Sequence, residues 1–228
     1  MATKLASISA IVPKTSGPET SAFTALVVRE ASASHPHVLS LLSLDSARDA
    51  RNAADALHHL SMLHGRHPGV IDHAATRTLS PSARKTMFAM ADSFAAEREA
   101  LGRVVVAAGP IPSTPGQAET EASVLAQHHA IDMLARSERQ GCAIGAAIAL
   151  ALDWHAIRCV LDASAKRFGV ELPASTLPPV ATLDAFAETA AETPAIERAI
   201  LFGGQQIVTQ HRGLWDLLET RANARIDD

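Results

Sequence analysis

Five ionisable residues, Glu97, His128, His211, His64 and Asp153, stand where their chemistry would matter most. Advancing about 100° per residue, each falls on or beside the apolar stripe of a segment with helical periodicity. Glu97 comes three residues after Phe94 and four before Leu101, and His211 lies between Ile207 and Leu214. His64 shares a face with Leu57 and Leu60, and Asp153 lies beside the face of Leu150, Ile157 and Leu161. His128 belongs to an edge line with Glu121 and Asp132. A carboxylate or imidazole in an apolar interior has to be paired, neutralised or bound to a metal.

Carboxylates and imidazoles converging inside a helical bundle build ferritin-like di-metal centres, with a Glu-x-x-His pair on each of two helices. On that reading the five residues are candidate metal ligands. The template is not met in full. The sequence contains no Glu-x-x-His, and its one Asp-x-x-His, Asp55 to His58, falls off the buried face. On the other reading, the groups hydrogen-bond and ion-pair among themselves. Glu97, His128 and His211 are then expected to meet, with His64 and Asp153 as further members, and Arg98, His128 or His211 would neutralise Glu97. His58, His59, His67 and His73 read as surface and turn residues, with Asp55 and His59 an (i, i+4) pair on the wet side. His155 joins Arg158, Asp162 and Lys166 on a polar stripe.

Other chemistries lack their motifs. There is no Gly-rich phosphate loop, nucleophile elbow or His-Glu-x-x-His helix, and no cysteine pair at metal spacing. A formal net charge of −4 with mixed signs, and no basic recognition helix, argues against nucleic acid and against a polybasic membrane patch. Aromatic residues make up 4% with no Tyr, which disfavours a haem or flavin pocket. Cys142 and Cys159 are too few for a disulfide framework and fit a reducing, cytoplasmic setting.

The elements that would position these groups are helical. The chain is 47% hydrophobic, Ala-rich, and shows no strand-period alternation. Its organising stretch is 118–168, where Cys142 to Leu152 is apolar on every side, the mark of a helix surrounded by others. That run is well short of the roughly 20 residues that span a bilayer. Gly141 and Gly145 would admit a neighbouring helix closely, and they leave open whether the stretch is one helix or two. Other helices are expected over 46–64, with Gly65 as its stop, over 81–108 behind a Ser80-Pro81 start, and over 195–223 behind Thr193-Pro194. Shorter ones fall at 21–31, 38–44, 70–79 and 183–191. The expected fold is all-α, an up-and-down bundle of about five main helices around a central Ala-rich apolar helix. Residues 21–228 form a single domain behind a mobile arm, 1–20, which lacks a signal-peptide core.

Four runs carry a family resemblance: His64-Gly65-Arg66-His67-Pro68-Gly69-Val70-Ile71-Asp72-His73, Pro112-Ser113-Thr114-Pro115-Gly116-Gln117, Leu152-Asp153-Trp154-His155-Ala156-Ile157-Arg158, and His211-Arg212-Gly213-Leu214-Trp215-Asp216. They resemble an uncharacterised family of small, all-helical bacterial proteins over most of the chain after about residue 35. The resemblance implies a helical fold and a bacterial cytosol but no activity, cofactor or catalytic residue. The leading functional reading is a non-enzymatic binding or interaction module, with a protein partner or a homodimer as further options. The alternative is a ferritin-like or haem-oxygenase-like bundle holding a metal or small cofactor in its polar centre.

Overall fold

The computed structural model describes residues 20–78 and 80–225, and every regular element among them is helical. In chain order these are α1 (Ala22–Glu30), a single 3-10 turn (Ser32–Ser34), α2 (Pro36–Ser40), α3 (Ala47–His64), α4 (Val70–Arg77), α5 (Pro81–Ala108), α6 (Gln117–Ala135), α7 (Cys142–Phe168), α8 (Val180–Ala190) and α9 (Pro194–Ala224). The all-α expectation holds. The proposed arm falls outside the described residues except for Thr20.

The stretch 118–168 resolves into two helices, α6 and α7, separated at Gly141, whose φ of +94° suits glycine alone. Helix α7 is central, touching α1, α3, α4, α5, α6, α8 and α9. Within Ala143–Leu152 every residue but Ile144 is buried. By length and composition α7 could cross a membrane, with a mean hydropathy of 1.6, yet 83% of its most apolar window is packed inside the protein. Its apolar girth is matched by the surrounding helices.

The tightest seam joins α7 to α9. A Cβ on Gly145 would lie 2.1 Å from the Ile200 carbonyl oxygen, and one on Gly203 would lie 2.1 Å from that of Cys142. These two glycines let the backbones touch, as the spacing of Gly141 and Gly145 predicts. Helices α3 and α9 run antiparallel, since Asp55 meets Arg221 while His64 meets His211.

Local signals account for most helix starts. Ser46 and Asp49 close a capping box on α3, and Thr193 accepts from the Ile196 amide to cap α9. Ser80 departs from expectation: Pro81 takes the first helical position, but the Ser80 hydroxyl pairs with Ser82 and caps nothing.

Two surface assignments are corrected. Asp55 and His59 are both fully buried, because the Arg221 and Arg225 side chains cover the polar flank of α3. Arg158 is also buried, at 7% exposure, its long side chain turned inward to a carboxylate rather than outward with Lys166.

Candidate functional site

The interior holds three polar networks, and the five singled-out residues are divided among their surroundings. The first brings together three of the five. His211 Nδ1 donates to Asp153 Oδ2 at 2.5 Å, and His211 Nε2 lies 2.8 Å from His64 Nε2. Asp153 also accepts from the Ser32 amide at 2.9 Å and the Ser32 hydroxyl at 2.6 Å. Because Trp215 Nε1 donates to that hydroxyl at 2.7 Å, its proton is directed at Asp153. With Nδ1 of His211 committed to the carboxylate, its Nε2 shares a single proton with His64 Nε2 across the 2.8 Å contact. Burial, aided by the neighbouring His211, His128 and Arg98, pushes the His64 pKa well below its ordinary value and keeps it neutral.

Glu97 is buried as expected but is neutralised elsewhere. Trp154 Nε1 donates to one oxygen at 3.1 Å and the Arg158 guanidinium to the other at 2.9 Å. Trp154 packs its ring edge-on to His64 and Phe94, so it separates Glu97 from the histidine pair. The partners considered for Glu97 are otherwise engaged. Arg98 pairs with Asp72 at 3.0 Å, and His128 Nδ1 bonds the Leu63 carbonyl at 3.0 Å. The expected meeting of Glu97, His128 and His211 is therefore replaced by a Ser32–Asp153–His211–His64 line, with Glu97 and His128 in separate hydrogen bonds.

The third network centres on Asp55 and was not foreseen. Arg221 grips the carboxylate through Nε at 2.9 Å and Nη2 at 2.9 Å, and Arg225 adds a bond at 2.7 Å. Thr114, Gln117, Thr120 and Asn52 accept further guanidinium protons. Burial alone would raise the Asp55 pKa, but His59, Arg221 and Arg225 outweigh it and hold the carboxyl well below the usual range. Three buried atoms at this end, His37 Nε2, His59 Nε2 and Arg225 Nε, have no partner among the described residues. Burial is the main cause that lowers the pKa of His37 to about 4, with the neighbouring His35 and Arg225 adding to it against a smaller opposing pull from Asp55.

Among the described residues, the metal-capable side chains whose ligand atoms lie within 4.8 Å of one another are His35, Asp216 and Glu219, none of the five. The imidazole there is already committed. The His37 amide donates to His35 Nδ1 at 3.2 Å, so the neutral ring carries its proton on Nε2 and gives it to Asp216 at 3.0 Å. A metal at Nε2 would require the imidazolate, which makes this group a clasp between α2 and α9.

Open concavity lies at another end of the molecule. A cavity of about 310 Å³ is bounded by the end of α4, the starts of α5, α7 and α9, the turn before α7, and the end of α8. A second, of about 280 Å³, continues it along α5 and α8, and the two share Ser80, Ala83, Ala190 and Glu192. Arg77, Glu138, Arg139 and Glu192 line the first cavity, and their side chains make no hydrogen bond or ion pair with any described residue.

A family model matches residues 27–226, most of the chain. The chain belongs to DUF6975, a family of unknown function. No curated protein and no solved structure matches it. Membership in DUF6975 agrees with the resemblance read from the four runs, and the structure shows where three of them go. His64, Asp153 with Trp154 and Arg158, and His211 with Trp215 all enter the first two networks. Sequence reasoning missed Ser32, Trp154, Arg158 and Trp215, whose roles depend on indole, guanidinium and hydroxyl donors rather than on titratable groups in a stripe. Arg221 was within reach, since it follows Leu218 by three residues and so falls on the same buried face.

Proposed function

We propose that this DUF6975 protein is a binding module without chemistry of its own, taking a small ligand in the cleft bounded by α4, α5, α7, α8 and α9. The observation that carries the reading is a contrast in polar satisfaction. In the centre, Glu97, Asp153 and His211 are sealed from solvent, and the carboxylates have partners on both oxygens. In the cleft, four charged side chains stand without partners among the described residues, around about 310 Å³ of open space. That volume falls within the roughly 300–1,000 Å³ typical of small-molecule sites. The free Cys142 and Cys159 favour a reducing compartment such as the cytoplasm.

The test is a thermal-shift screen of small polar metabolites on the wild type and on Ala83→Trp. Ala83 is partly buried and lines both cavities, so an indole there fills their junction. The expected result is a stabilising ligand whose effect disappears in Ala83→Trp while the far-UV spectrum is retained. A screen without hits, or a ligand indifferent to Ala83→Trp, refutes the cleft as the site.

A further inference from the structure

We infer that the protein pairs with a second copy of itself through the outward face of α6, the two helices lying antiparallel about a two-fold axis between Leu125 and Ala126. The pairing is independent of the cleft, since no residue of α6 lines either cavity.

Helix α6 buries Thr120, Val124, His128, Ile131, Leu134 and Ala135 against its neighbours. A helix of this kind normally turns a polar face to solvent, and this one does not. Ala118, Ala122, Leu125, Ala126, His129 and Met133 are all exposed. Advancing about 100° per residue, they fall within roughly 100° of one another. Met133 is 76% exposed and Leu125 41%. Glu119, Glu121 and Asp132 border this stripe without entering it. The other exposed large apolar residues stand differently. On α5, Asp92 and Glu99 come between Phe88 and Val106 on the same face. On α9, the Phe202 ring is covered by the Arg139 guanidinium, 5.8 Å from its centre. Single exposed apolar side chains are ordinary, whereas a continuous stripe of about four turns marks a contact surface.

The order of the residues selects a second copy as the occupant. A two-fold interface sets residue i of one copy on residue j of the other and j on i, so the surface has to complement itself. Turned about an axis between Leu125 and Ala126, the stripe does so. Met133 comes beside Ala118 of the second copy and His129 beside Ala122 of the second copy, a large side chain against a small one in both cases, while Leu125 packs on its own counterpart at the axis. A parallel pair would instead set Met133 on Met133 and leave a gap at Ala118. Charge follows the same sense. Glu119 and Glu121 are exposed near the start of α6 and Arg136 is exposed just beyond its end, so antiparallel helices bring an acidic start toward a basic end twice over. The helix macrodipoles oppose each other in the same arrangement, and the alanines admit a close approach. One helix face with its borders offers about half of the ~20–30 residues a side of a standard interface, so the dimer should be reversible, in the micromolar range.

Sedimentation equilibrium of the full chain from about 1 μM to 1 mM tests the pairing. The wild type should pass from monomer to dimer across that range. Leu125→Glu sets two carboxylates together at the axis and should weaken association at least about tenfold. Leu125→Lys should do the same, and an equimolar mixture of the two variants should restore it. Ser123→Glu, at an exposed position off the stripe, should leave association unchanged. Helix order is read by cross-linking with a short bismaleimide in a Cys159→Ser background, Cys142 being buried. Met133→Cys mixed with Ala118→Cys should join. Met133→Cys alone should not, its two copies lying about 22 Å apart along an antiparallel seam. A monomer throughout the range, or a dimer indifferent to Leu125→Glu, overturns α6 as the contact. A mixture of the Leu125 variants that stays monomeric overturns the axis at Leu125. Met133→Cys joining itself, or failing to join Ala118→Cys, overturns the antiparallel order.

Discussion

Replacing Gly145 with alanine probes the packing at the centre of the molecule. The added methyl would lie 2.1 Å from the Ile200 carbonyl oxygen and 2.6 Å from its Cα, whereas ordinary contact begins at 3.4 Å. Both obstacles are backbone atoms in a long helix, so no rotamer change relieves them. Helices α7 and α9 must part locally by about 1.3 Å, and a gap of that order forfeits much of the dispersion energy of the side chains on either side. Overpacking of this kind costs roughly 1–3 kcal/mol, occasionally more. With backbone clashes at 2.1 and 2.6 Å the upper end, about 3 kcal/mol, applies, and alanine recovers up to about 1 kcal/mol through helix propensity, so the expected net loss is about 2 kcal/mol. With a urea m-value of about 3 kcal/mol/M for a chain of this size, the midpoint should fall by roughly 0.7 M. Gly203→Ala should behave alike, since its methyl meets the Cys142 carbonyl at 2.1 Å, and Gly145→Leu should be worse. Gly102 is the internal control, in mid-α5 with nothing within 4 Å of the methyl that alanine would add. Gly102→Ala should therefore stabilise by up to about 1 kcal/mol and raise the midpoint. If Gly145→Ala raised the midpoint as Gly102→Ala does, the α7–α9 contact would not exist.

Asp153→Asn removes the anionic acceptor of His211 and Ser32 and should cost about 2–4 kcal/mol in denaturant titrations. Long-range proton–nitrogen spectra of the wild type should show His211 protonated on Nδ1, and an Nε2–H tautomer would contradict the Asp153 bond. Glu97→Gln leaves the Arg158 guanidinium buried beside a neutral amide and should destabilise by about 3–5 kcal/mol. A loss below about 1 kcal/mol would mean that the pair is exposed to solvent. Acid sensitivity should begin with the histidines. His37 and His64 have lowered pKa values, so their contribution is complete above about 6.5 and declines as pH falls below it, for His37 until about 4. At about 1.4 kcal/mol per unit, His37 alone accounts for roughly 3 kcal/mol over that window. Asp55, whose pKa is depressed, keeps its contribution above the usual carboxylate range and loses it only at lower pH, as its folded-state pKa is crossed. His37→Gln should therefore flatten the stability profile between about pH 6.5 and 4, and an unchanged slope there would assign the loss to other groups.

Periodicity made the framework legible. The all-round apolar run in α7, the Thr193-Pro194 start of α9 and the glycine stop after His64 all rest on local rules, and the helices follow them. The burial of Glu97, His64, His128, Asp153 and His211 was legible for the same reason, because each lies on or beside a stripe of apolar residues. Their pairing was not. Whether Glu97 meets Arg158 or Arg98 depends on which helix faces which, and a wheel drawn for one helix carries no such information. Arg158 shows the limit most plainly. Its Cα direction points toward the polar side, while a side chain of several bonds carries its charge inward to Glu97. Asp55 and His59 show the converse, a polar flank buried because a neighbouring helix supplies two arginines. The cleft is assembled from five separate elements and has no signature in any one of them.

The buried polar pairs also determine when the protein becomes complete during its synthesis. Ser32 waits for a carboxylate 121 residues later, Glu97 for a guanidinium 61 residues later, and His64 for an imidazole 147 residues later. Asp55 is the extreme case, since its two arginines follow at 166 and 170 residues. Until its later partner has left the ribosome, each of these groups is water-exposed or unpaired, and the amino-terminal helices alone have no means of enclosing it. A nascent chain halted before α9 would lack partners for both Asp55 and His64, so its first helices should remain loose and open to protease. Release of the last helix should then convert the whole bundle at once, a transition that a stalled-chain proteolysis series would show as one step rather than a gradual gain of protection.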